Sequence, residues 1–482
     1  MKKWQRIILG SLLSVLSAVA LTAAFPPYEL WPLVFIALVP MIVAQYWLFP
    51  KAWSGLAVGL GVGGFFLFYM SLGGLIPFLV WLPVPIFFAA GFIGWRERVF
   101  NEKTGARLFW LIGPILWVGI EMIRGLVPFI GTWGFPAYSL YNQTWLIQPV
   151  SVFSIYGLDL LILLVNYAIA LGILNALEKF TSGEHTQVFS KARIEWVSAG
   201  TGLALLAWII VSLVLLQPIE NDLRVAAIHP ALQVQDPNDT YRLDLLYDAT
   251  RLAGQRDAKL IVWNEGALPF DPQDAHTFAL QELAAETGAY LSIGYSVMTD
   301  EGLRNESTLL SPAGDFLGVY GKDHPVLLSG ETSVTRGLNY EPFNTNIGTI
   351  GTVICYDIEF TDTTRKVANA AAQVITVPSF DWPELASIHY THMVFRAIEN
   401  RVSMIKADVG FDSAIVDPYG RILKKVVTPT AGVMAVLVAD IPLGGGETLV
   451  MRWGDWVGWI ALAGLAIFHL TDLGMAILTP KR

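Results

Sequence analysis

Long, almost uncharged apolar segments fill the first 218 residues of the chain and return once near its end. A helix needs about 20 apolar residues to cross the hydrocarbon core of a bilayer. The pattern therefore predicts a polytopic α-helical membrane domain with about eight transmembrane helices. The predicted spans lie near residues 7–24, 31–49, 53–71, 75–94, 108–128, 157–177, 197–216 and 455–477.

The first apolar segment has two interpretations. The Ala-rich residues 18–24 could end a cleaved secretory signal peptide, but they continue directly into further apolar segments. We therefore expect a retained membrane helix. Between the apolar regions the composition is that of a soluble protein, so we predict a membrane domain at 1–218, a globular domain at 220–447 and a C-terminal membrane helix at 452–482.

Basic residues fall on one side of the predicted membrane topology. Short loops rich in Lys and Arg stay in the cytoplasm, and such residues precede the first span, follow the last and occupy every second loop. Seven crossings from a cytoplasmic N-terminus place residues 220–447 outside, with both termini inside. The basic residues on the predicted inner side are Lys2, Lys3, Arg6, Lys51, Arg96, Arg98, Lys103, Arg107, Lys179, Lys191, Arg193, Lys481 and Arg482.

Two charged residues lie deep in the predicted membrane domain. Glu121 and Arg124 are three residues apart, on one face of the predicted fifth span. Charges at that depth are costly unless they are paired or face protein, so they form a structural ion pair or help to shape a lipid-headgroup site. Residues 131–149 are aromatic and rich in Gly and Pro, which favours an interfacial or re-entrant loop.

From Leu223 onward, short β-rich segments alternate with helical ones. Nine segments have strand-type patterns, and residues 239–257, 272–287, 361–372 and 389–402 have helical patterns. The alternation predicts an α/β domain of about 220 residues, which is large enough to bury its own core.

Charge and motif content limit the classes of partner. The net charge is −9 and no basic run could follow a phosphate backbone, so we expect no nucleic acid partner. His324 and His392 have no metal-ligand spacing, and the sequence has neither a zinc signature nor a phosphate-binding glycine motif. His389 and Arg396 share one face of a predicted helix, where a structural role is favoured. We expect no metal and no cofactor.

Cys355 is the single cysteine of the chain, so an intrachain disulfide is excluded. A lone thiol is either a buried apolar residue or a nucleophile. Glu265 and Lys322 also stand where predicted strands end, and loops at such ends often carry function. A carboxylate base and an ammonium that stabilises an oxyanion would suit a thiol nucleophile. Spacing alone leaves open whether the three residues meet.

Three segments carry a resemblance to a known superfamily. WNEGALP at 263–269, YGKDHPVLLSGE at 320–331 and VICYDIEF at 353–360 resemble the signature segments of the nitrilase, or carbon–nitrogen hydrolase, superfamily. The resemblance implies an α/β nitrilase-like αββα sandwich. It also implies that Glu265 is the general base, Lys322 the oxyanion stabiliser and Cys355 the nucleophile, with Glu331 as a second catalytic glutamate.

The membrane part narrows the resemblance. Residues 117–125, 131–140 and 146–166 resemble the corresponding part of apolipoprotein N-acyltransferases. The resemblance implies a multi-pass, monomeric acyltransferase in the bacterial inner membrane, whose catalytic domain is periplasmic. It would transfer an acyl chain from a membrane phospholipid, through a Cys355 thioester, to the N-terminal amine of a diacylglyceryl lipoprotein. The implied substrate-binding residues are Tyr356, Asp357, Trp382, Trp133 and Tyr138.

The sequence also departs from that family. Asp357 stands where glutamate is common, the interval from Lys322 to Glu331 is one residue longer than usual, and PSFDWPEL at 378–385 replaces a segment that generally contains asparagine. Two alternatives therefore remain open. One is a membrane-tethered nitrilase-type amidase or hydrolase, in which water accepts the acyl group. The other is a non-catalytic lipid-binding scaffold.

Overall fold

A computed structural model describes residues 2–72, 81–128, 130–180, 191–218, 222–230, 240–327, 331, 339–383, 385–428 and 434–478. The N-terminal part of these residues is helical, and short 3-10 and π-helical segments lie among the regular helices. The helices of this part are α1 (Lys3–Ala24), α2 (Val39–Val43), α3 (Gly55–Val58), α4 (Gly64–Leu72), α5 (Pro83–Lys103), α6 (Phe109–Gly125), α7 (Thr144–Ile147), α8 (Val150–Phe180) and α9 (Lys191–Leu215).

Within the described residues, six helical segments are long and apolar enough to cross a membrane. They are Lys3–Ala24, Trp31–Leu48, Lys51–Ser71, Val150–Glu178, Ile194–Leu215 and Trp456–Gly474. The other two predicted spans also contain helices, but α6 has only 17 residues and α5 ends in a charged turn. Of the predicted span 75–94, the described part contains the start of α5 at Pro83, a residue favoured in the first helical turn. Residues 73–80 lie outside the described part.

Helix α8 contains a break at its N-terminal end. Ser154 has φ 56° and ψ 177°, outside the helical region. A break frees backbone groups that need partners in a buried setting, and here the amide of Ile155 donates to Oε1 of Glu399 at 2.9 Å. The amide freed by the break therefore links helix α8 to the globular domain.

The globular domain contains twelve strands in two six-stranded sheets. The strand order is β12-β1-β2-β3-β4-β5 in the first sheet and β11-β10-β9-β8-β7-β6 in the second. The strands are β1 (Leu223–His229), β2 (Leu260–Val262), β3 (Tyr290–Thr299), β4 (Gly302–Leu310), β5 (Phe316–Gly321), β6 (Phe343–Thr345), β7 (Gly348–Thr352), β8 (Val374–Ser379), β9 (Ser403–Asp408), β10 (Asp412–Val416), β11 (Ile422–Val427) and β12 (Ala435–Ile441).

Helices cover both outer faces of the stacked sheets. They are α10 (Thr240–Gln255) and α11 (Thr277–Thr287) on the first sheet, and α12 (Thr361–Asn369) and α13 (His389–Asn400) on the second. Apolar residues of both sheets, among them Val262 and Val374, form a buried layer between them. This arrangement confirms the predicted αββα sandwich. The chain then continues into α14 (Leu449–Trp453) and α15 (Trp456–Leu478).

The helical layer that covers the second sheet packs against the membrane part. One apolar core runs from α13 through the 131–140 loop into α8, and polar contacts reinforce it. Nη1 of Arg401 donates to Oε1 of Gln148 at 2.7 Å, and Oγ1 of Thr361 donates to Asp455 at 2.6 Å. These contacts set the orientation of the α/β domain on the membrane helices.

Candidate active site

The parallel strands of the two sheets bring three loops to one edge. In the first sheet β2 pairs in parallel with β1 and β3, and in the second β8 pairs in parallel with β7 and β9. Glu265 follows β2, Cys355 follows β7 and Asp381 follows β8. The amide of Glu265 donates to the carbonyl of Ser379 at 3.3 Å, so the two sheets are joined at the site itself.

Lys322 is the centre of a buried charged cluster. Its backbone amide donates to the carbonyl of Asn305 at 3.0 Å, which fixes its position beyond β5. Its Nζ atom donates to Oε1 of Glu265 at 2.8 Å and to Oε2 of Glu331 at 2.9 Å. The structure therefore brings three of the predicted residues together, and the Lys322 side chain is only 2% exposed.

Asn305 completes this cluster, and sequence analysis did not identify it. Its Nδ2 atom donates to Glu265 and, at 2.9 Å, to Oε1 of Glu331. Both oxygens of Glu331 are thus engaged, since Oε2 also accepts from the amide of Val326 at 2.8 Å. Oε2 of Glu265, in contrast, has no hydrogen-bond partner within the described part of the chain. That oxygen is free to accept a proton.

Cys355 occupies a strained backbone position beside this cluster. Its φ angle is +45°, in the left-handed region that side chains rarely adopt. The residue begins a short 3-10 turn over Cys355–Glu359. Its buried Sγ atom lies 3.4 Å from Oδ1 of Asp381 and 3.9 Å from the carbonyl oxygen of Phe380.

The surroundings keep the resting thiol protonated. Burial raises the pKa of the Cys355 thiol well above its usual value, and the negative charges of Glu265 and Asp381 add to the effect, while Lys322 opposes it. Burial likewise raises the pKa of Glu265, which Lys322 partly counteracts. Burial disfavours the charged form of Lys322, but the carboxylates of Glu265 and Glu331 outweigh it and raise its pKa. The site therefore holds a neutral thiol beside a permanent ammonium.

Asp357, predicted from the resemblance to bind substrate, is fully buried. Its Oδ2 atom accepts from the amide of Ile354 and from the hydroxyl of Tyr320, both at 2.8 Å. Its Oδ1 atom accepts from the amide of His324 at 2.8 Å. The carboxylate thus joins the turn that carries Cys355 to the segment that carries Lys322.

The four aromatic residues predicted to bind substrate occupy different surroundings. Tyr356 is 8% exposed, Trp382 is half-buried and Trp133 is half-buried, whereas Tyr138 is completely buried. The Trp133 ring stacks on His389 with a centroid separation of 5.6 Å, and the Tyr138 ring stacks on His392 at 3.7 Å. The 131–140 loop, called the membrane-domain loop below, therefore contacts α13 directly.

A second buried polar cluster lies on the other side of Cys355. Nδ1 of His389 lies 2.7 Å and 2.8 Å from the two carboxylate oxygens of Asp381, and Nζ of Lys406 donates to Oδ2 of Asp381 at 2.8 Å. Sequence analysis did not single out Asp381 and favoured a structural role for His389. The available signal was the position of Asp381, which follows a parallel strand just as Glu265 and Cys355 do.

Within the described ranges, two groups of side chains have metal-ligand proximity. One is Cys355, Asp381 and His389, and the other is Asp381, Asp408 and Asp412. In the second group Lys406 already supplies a cation, because its ammonium contacts both Asp381 and Asp412. The prediction that the protein needs no metal stays a prediction.

Glu121 and Arg124 do not contact each other as an ion pair. Oε1 of Glu121 accepts from the indole of Trp117 at 2.8 Å. The Arg124 guanidinium donates to the carbonyl of Trp133 and lies 5.3 Å from the centre of the Phe135 ring. Arg124 therefore contacts the 131–140 loop, whereas Glu121 bonds within its own helix, an arrangement that neither sequence interpretation described.

Comparison with known proteins agrees with this structure. Residues 224–449 match the carbon–nitrogen hydrolase family, and residues 17–168 match the apolipoprotein N-acyltransferase N-terminal domain. An amidase from Nesterenkonia sp. is 21% identical, with a TM-score of 0.39, over 49% of this chain and 95% of its own.

Full-length relatives share both parts. The apolipoprotein N-acyltransferase of Geobacter metallireducens is 27% identical over 95% of this chain and 94% of its own length. The enzymes of Gloeobacter violaceus and Pseudomonas syringae pv. tomato are each 26% identical, over 94% and 98% of this chain and 92% and 97% of their own.

The two-sheet fold and the matched α/β segment place the protein in the nitrilase superfamily of enzymes. The additional match of its membrane part, together with the full-length relatives, shows that the chain belongs to the apolipoprotein N-acyltransferase family.

Proposed function

We propose that this membrane enzyme transfers an acyl chain from a phospholipid to the N-terminal amine of an S-diacylglyceryl-cysteine lipoprotein, through a thioester on Cys355. One observation carries the assignment of the site. A thiol, a carboxylate with one unpartnered oxygen and a buried ammonium converge at the sheet edge, where Glu265 and Lys322 are already in contact at 2.8 Å.

The first half-reaction acylates the enzyme. Sγ of Cys355 attacks the ester carbonyl of the phospholipid while Oε2 of Glu265 accepts the thiol proton. Nζ of Lys322 stabilises the negative charge that develops on the carbonyl oxygen. The carbon–oxygen bond of the ester then breaks, and Glu265 returns the proton to the departing lysophospholipid alkoxide.

The second half-reaction regenerates the thiol. The neutral α-amine of the lipoprotein attacks the thioester carbonyl, and Glu265 accepts a proton from the attacking nitrogen. Lys322 again stabilises the oxyanion. The carbon–sulfur bond breaks, the amide is released, and the proton passes from Glu265 to the Cys355 thiolate. The reaction balances without a cofactor.

Glu331 and Asn305 keep these groups in position. Glu331 accepts from Nζ of Lys322, and Asn305 donates to both glutamates. We assign them to the alignment of the base with the ammonium. A displacement of about 1 Å in such a group can cost on the order of 100-fold in rate.

Exposure separates the five predicted substrate-binding residues into two groups. Tyr356, Trp382 and Trp133 retain exposed surface at the site and are assigned to the acyl-binding wall. Tyr138 and Asp357 have none, so we assign them to support: Tyr138 carries the His392 ring, and Asp357 the turn at Cys355.

The membrane position favours transfer between lipid-anchored substrates. Alternating basic loops support an orientation in which the α/β domain lies outside the cytoplasm of a bacterial cell and both termini lie inside. Donor and acceptor are then both held in the outer leaflet of the inner membrane. Confinement to one surface raises their effective concentration at Cys355. The chain acts as a monomer in this proposal.

Intact mass spectrometry of the purified protein in phospholipid micelles tests the acyl-enzyme. The wild type is expected to gain the mass of one acyl chain, whereas Cys355→Ala gains none, because the chain has no other cysteine. Glu286→Gln, near the C-terminal end of α11, is the control and retains the adduct. Absence of an adduct from every phospholipid tried would overturn the proposal.

A further inference from the structure

We propose that Asp381 is a second carboxylate of the reaction centre, which holds the Cys355 sulfur in the resting enzyme and slows the loss of the thioester to water. His389 and Lys406 position this carboxylate. The inference rests on the proposed role of Cys355 as the acylated residue.

The contact between Cys355 and Asp381 is direct. Sγ lies 3.4 Å from Oδ1, within the range of a sulfur hydrogen bond, and both side chains are buried. Because the resting thiol carries a hydrogen, it donates to this oxygen. The negative charges of Glu265 and Asp381 both act on this thiol. Of these two carboxylates, only Glu265 has an oxygen without a hydrogen-bond partner in the described part of the chain.

Cationic and donor groups fix Asp381. Nζ of Lys406 donates to its Oδ2 atom at 2.8 Å, Nδ1 of His389 lies 2.7 Å from the same oxygen, and the Asp381 amide donates to Asp408 at 2.8 Å. Burial disfavours the charged carboxylate, but His389 and Lys406 outweigh it and hold the pKa of Asp381 well below its usual range. Asp381 is therefore a fixed anion, and it cannot replace Glu265 as the proton carrier.

His389 connects this anion to the membrane part. Its Nε2 atom lies 3.3 Å from Oε1 of Glu359, and its ring stacks on Trp133. Oγ1 of Thr132 donates to the carbonyl of Glu359 at 2.9 Å. The orientation of the imidazole, and through it that of Asp381, is thus set by the loop that we assign to the acyl-binding wall.

A fixed anion beside the sulfur has a chemical consequence for the thioester. Breaking the carbon–sulfur bond places negative charge on the sulfur, close to the charge of Asp381. A thiol of higher pKa is a poorer leaving group, so the thioester is less reactive toward water, whereas the more nucleophilic α-amine of the acceptor still displaces the sulfur. The charged and titratable groups that face Cys355 or Asp381 are Glu265, Lys322, Asp381, His389, Glu359, Lys406, Asp408 and Asp412.

The pH dependence of Cys355 alkylation by iodoacetamide measures this effect without any lipid. The single cysteine makes the modified mass unambiguous. Asp381→Asn keeps the shape of the side chain and removes its charge, so the midpoint pH is expected to fall by about one unit. Asp381→Glu restores the charge and moves the midpoint back toward the wild-type value. An Asp381→Asn midpoint equal to that of the wild type would overturn the proposal.

Variants of α13 separate positioning from general structural damage. His389→Gln removes a group that offsets the carboxylate charge, so its midpoint is expected to rise, and the change disappears when Asp381→Asn is also present. Glu286→Gln, an exposed change on α11, leaves the midpoint unchanged. If Asp381→Asn does not fold, His389→Gln carries the test alone, and an unmoved midpoint in that variant contradicts the proposal.

The lifetime of the acyl-enzyme provides a second readout. With the acylated protein isolated from lipid, Asp381→Asn is expected to lose its adduct to water several-fold faster than the wild type. Equal lifetimes refute the role of Asp381 in protecting the thioester, while the adduct itself still supports acylation of Cys355. A wild type that never acylates instead refutes the proposed function, and the alkylation midpoints remain interpretable.

Discussion

Nζ of Lys322 lies 2.8 Å from Oε1 of Glu265, while the other oxygen of the same carboxylate has no hydrogen-bond partner in the described structure. One oxygen thus fixes the side chain and the other remains available for proton transfer. These two roles of the Glu265 oxygens matter because a general base must be both held in position and free to accept a proton.

Replacement of Glu265 tests whether its unpartnered oxygen accepts the thiol proton. Glu265→Gln keeps the side-chain shape but cannot take the thiol proton, so formation of the acyl-enzyme is expected to slow by about 10²- to 10⁴-fold. Single-turnover mass spectrometry measures that rate. Glu286→Gln, on the exposed face of α11, is the matched control. A Glu265→Gln enzyme that acylates at the wild-type rate would remove Glu265 from the mechanism.

The pH dependence of acylation follows from the same residue. Glu265 must be ionised to accept a proton, and burial raises its pKa above the ordinary glutamate value of about 4.3. The acylation rate is therefore expected to fall as the pH drops through this raised pKa. Lys322 remains charged throughout, because its pKa is also raised. A pH–rate profile with an acid midpoint at or below the ordinary value contradicts this account.

Sequence patterns predicted the interior of the sandwich better than its edges. All nine predicted strands exist, and the three that were missed, β5, β6 and β11, are edge strands. An edge strand is covered on fewer sides, so its sequence need not be continuously apolar. Strand β11 illustrates this with Lys424 and Lys425, both exposed.

The residues of the candidate site were likewise predicted only in part. Glu265, Lys322, Glu331 and Cys355 belong to recognisable segments, and three of them are in direct contact through Lys322. Asn305 reaches them only because β4 pairs with β5, with Glu306 opposite Gly321. Such a contact depends on strand register, which no local pattern around Asn305 encodes.

A buried glutamate at the junction with the membrane part predicts a stability effect. Burial raises the pKa of Glu359 to about 8, with His389 and Arg396 opposing the shift. Between the ordinary glutamate pKa and about 8, the folded protein retains a proton that the unfolded chain has released. Stability therefore falls as the pH rises through this window, by up to about 1.4 kcal/mol per unit.

Glu359→Gln removes this titration. The melting temperature in detergent is expected to vary less with pH between about 5 and 8 than that of the wild type. Glu286→Gln, which changes an exposed carboxylate, keeps the wild-type slope. Equal slopes in the wild type and Glu359→Gln would show that Glu359 does not retain its proton in the fold.

The membrane-domain loop is expected to act on substrate binding. Trp133→Ala removes the ring that stacks on His389, and we expect acyl transfer to fall by about tenfold. The midpoint pH of Cys355 alkylation by iodoacetamide is expected to move less than in Asp381→Asn, because the Asp381 carboxylate and its contact with Lys406 remain. Trp145→Ala, which removes a half-exposed ring that packs on Trp31, is the control. Equal transfer rates in the two variants would contradict the assignment of Trp133.

The fate of the acyl group tests the central claim most directly. Wild-type enzyme acylated from phospholipid, freed of excess lipid and mixed with a diacylated lipopeptide, is followed by mass spectrometry of both species. The account predicts that the acyl mass leaves Cys355 and arrives on the N-terminal amine of the lipopeptide. An N-acetylated lipopeptide, which offers no free amine, leaves the adduct in place. Release of free fatty acid at the same rate with either peptide would contradict acyl transfer and identify a hydrolase.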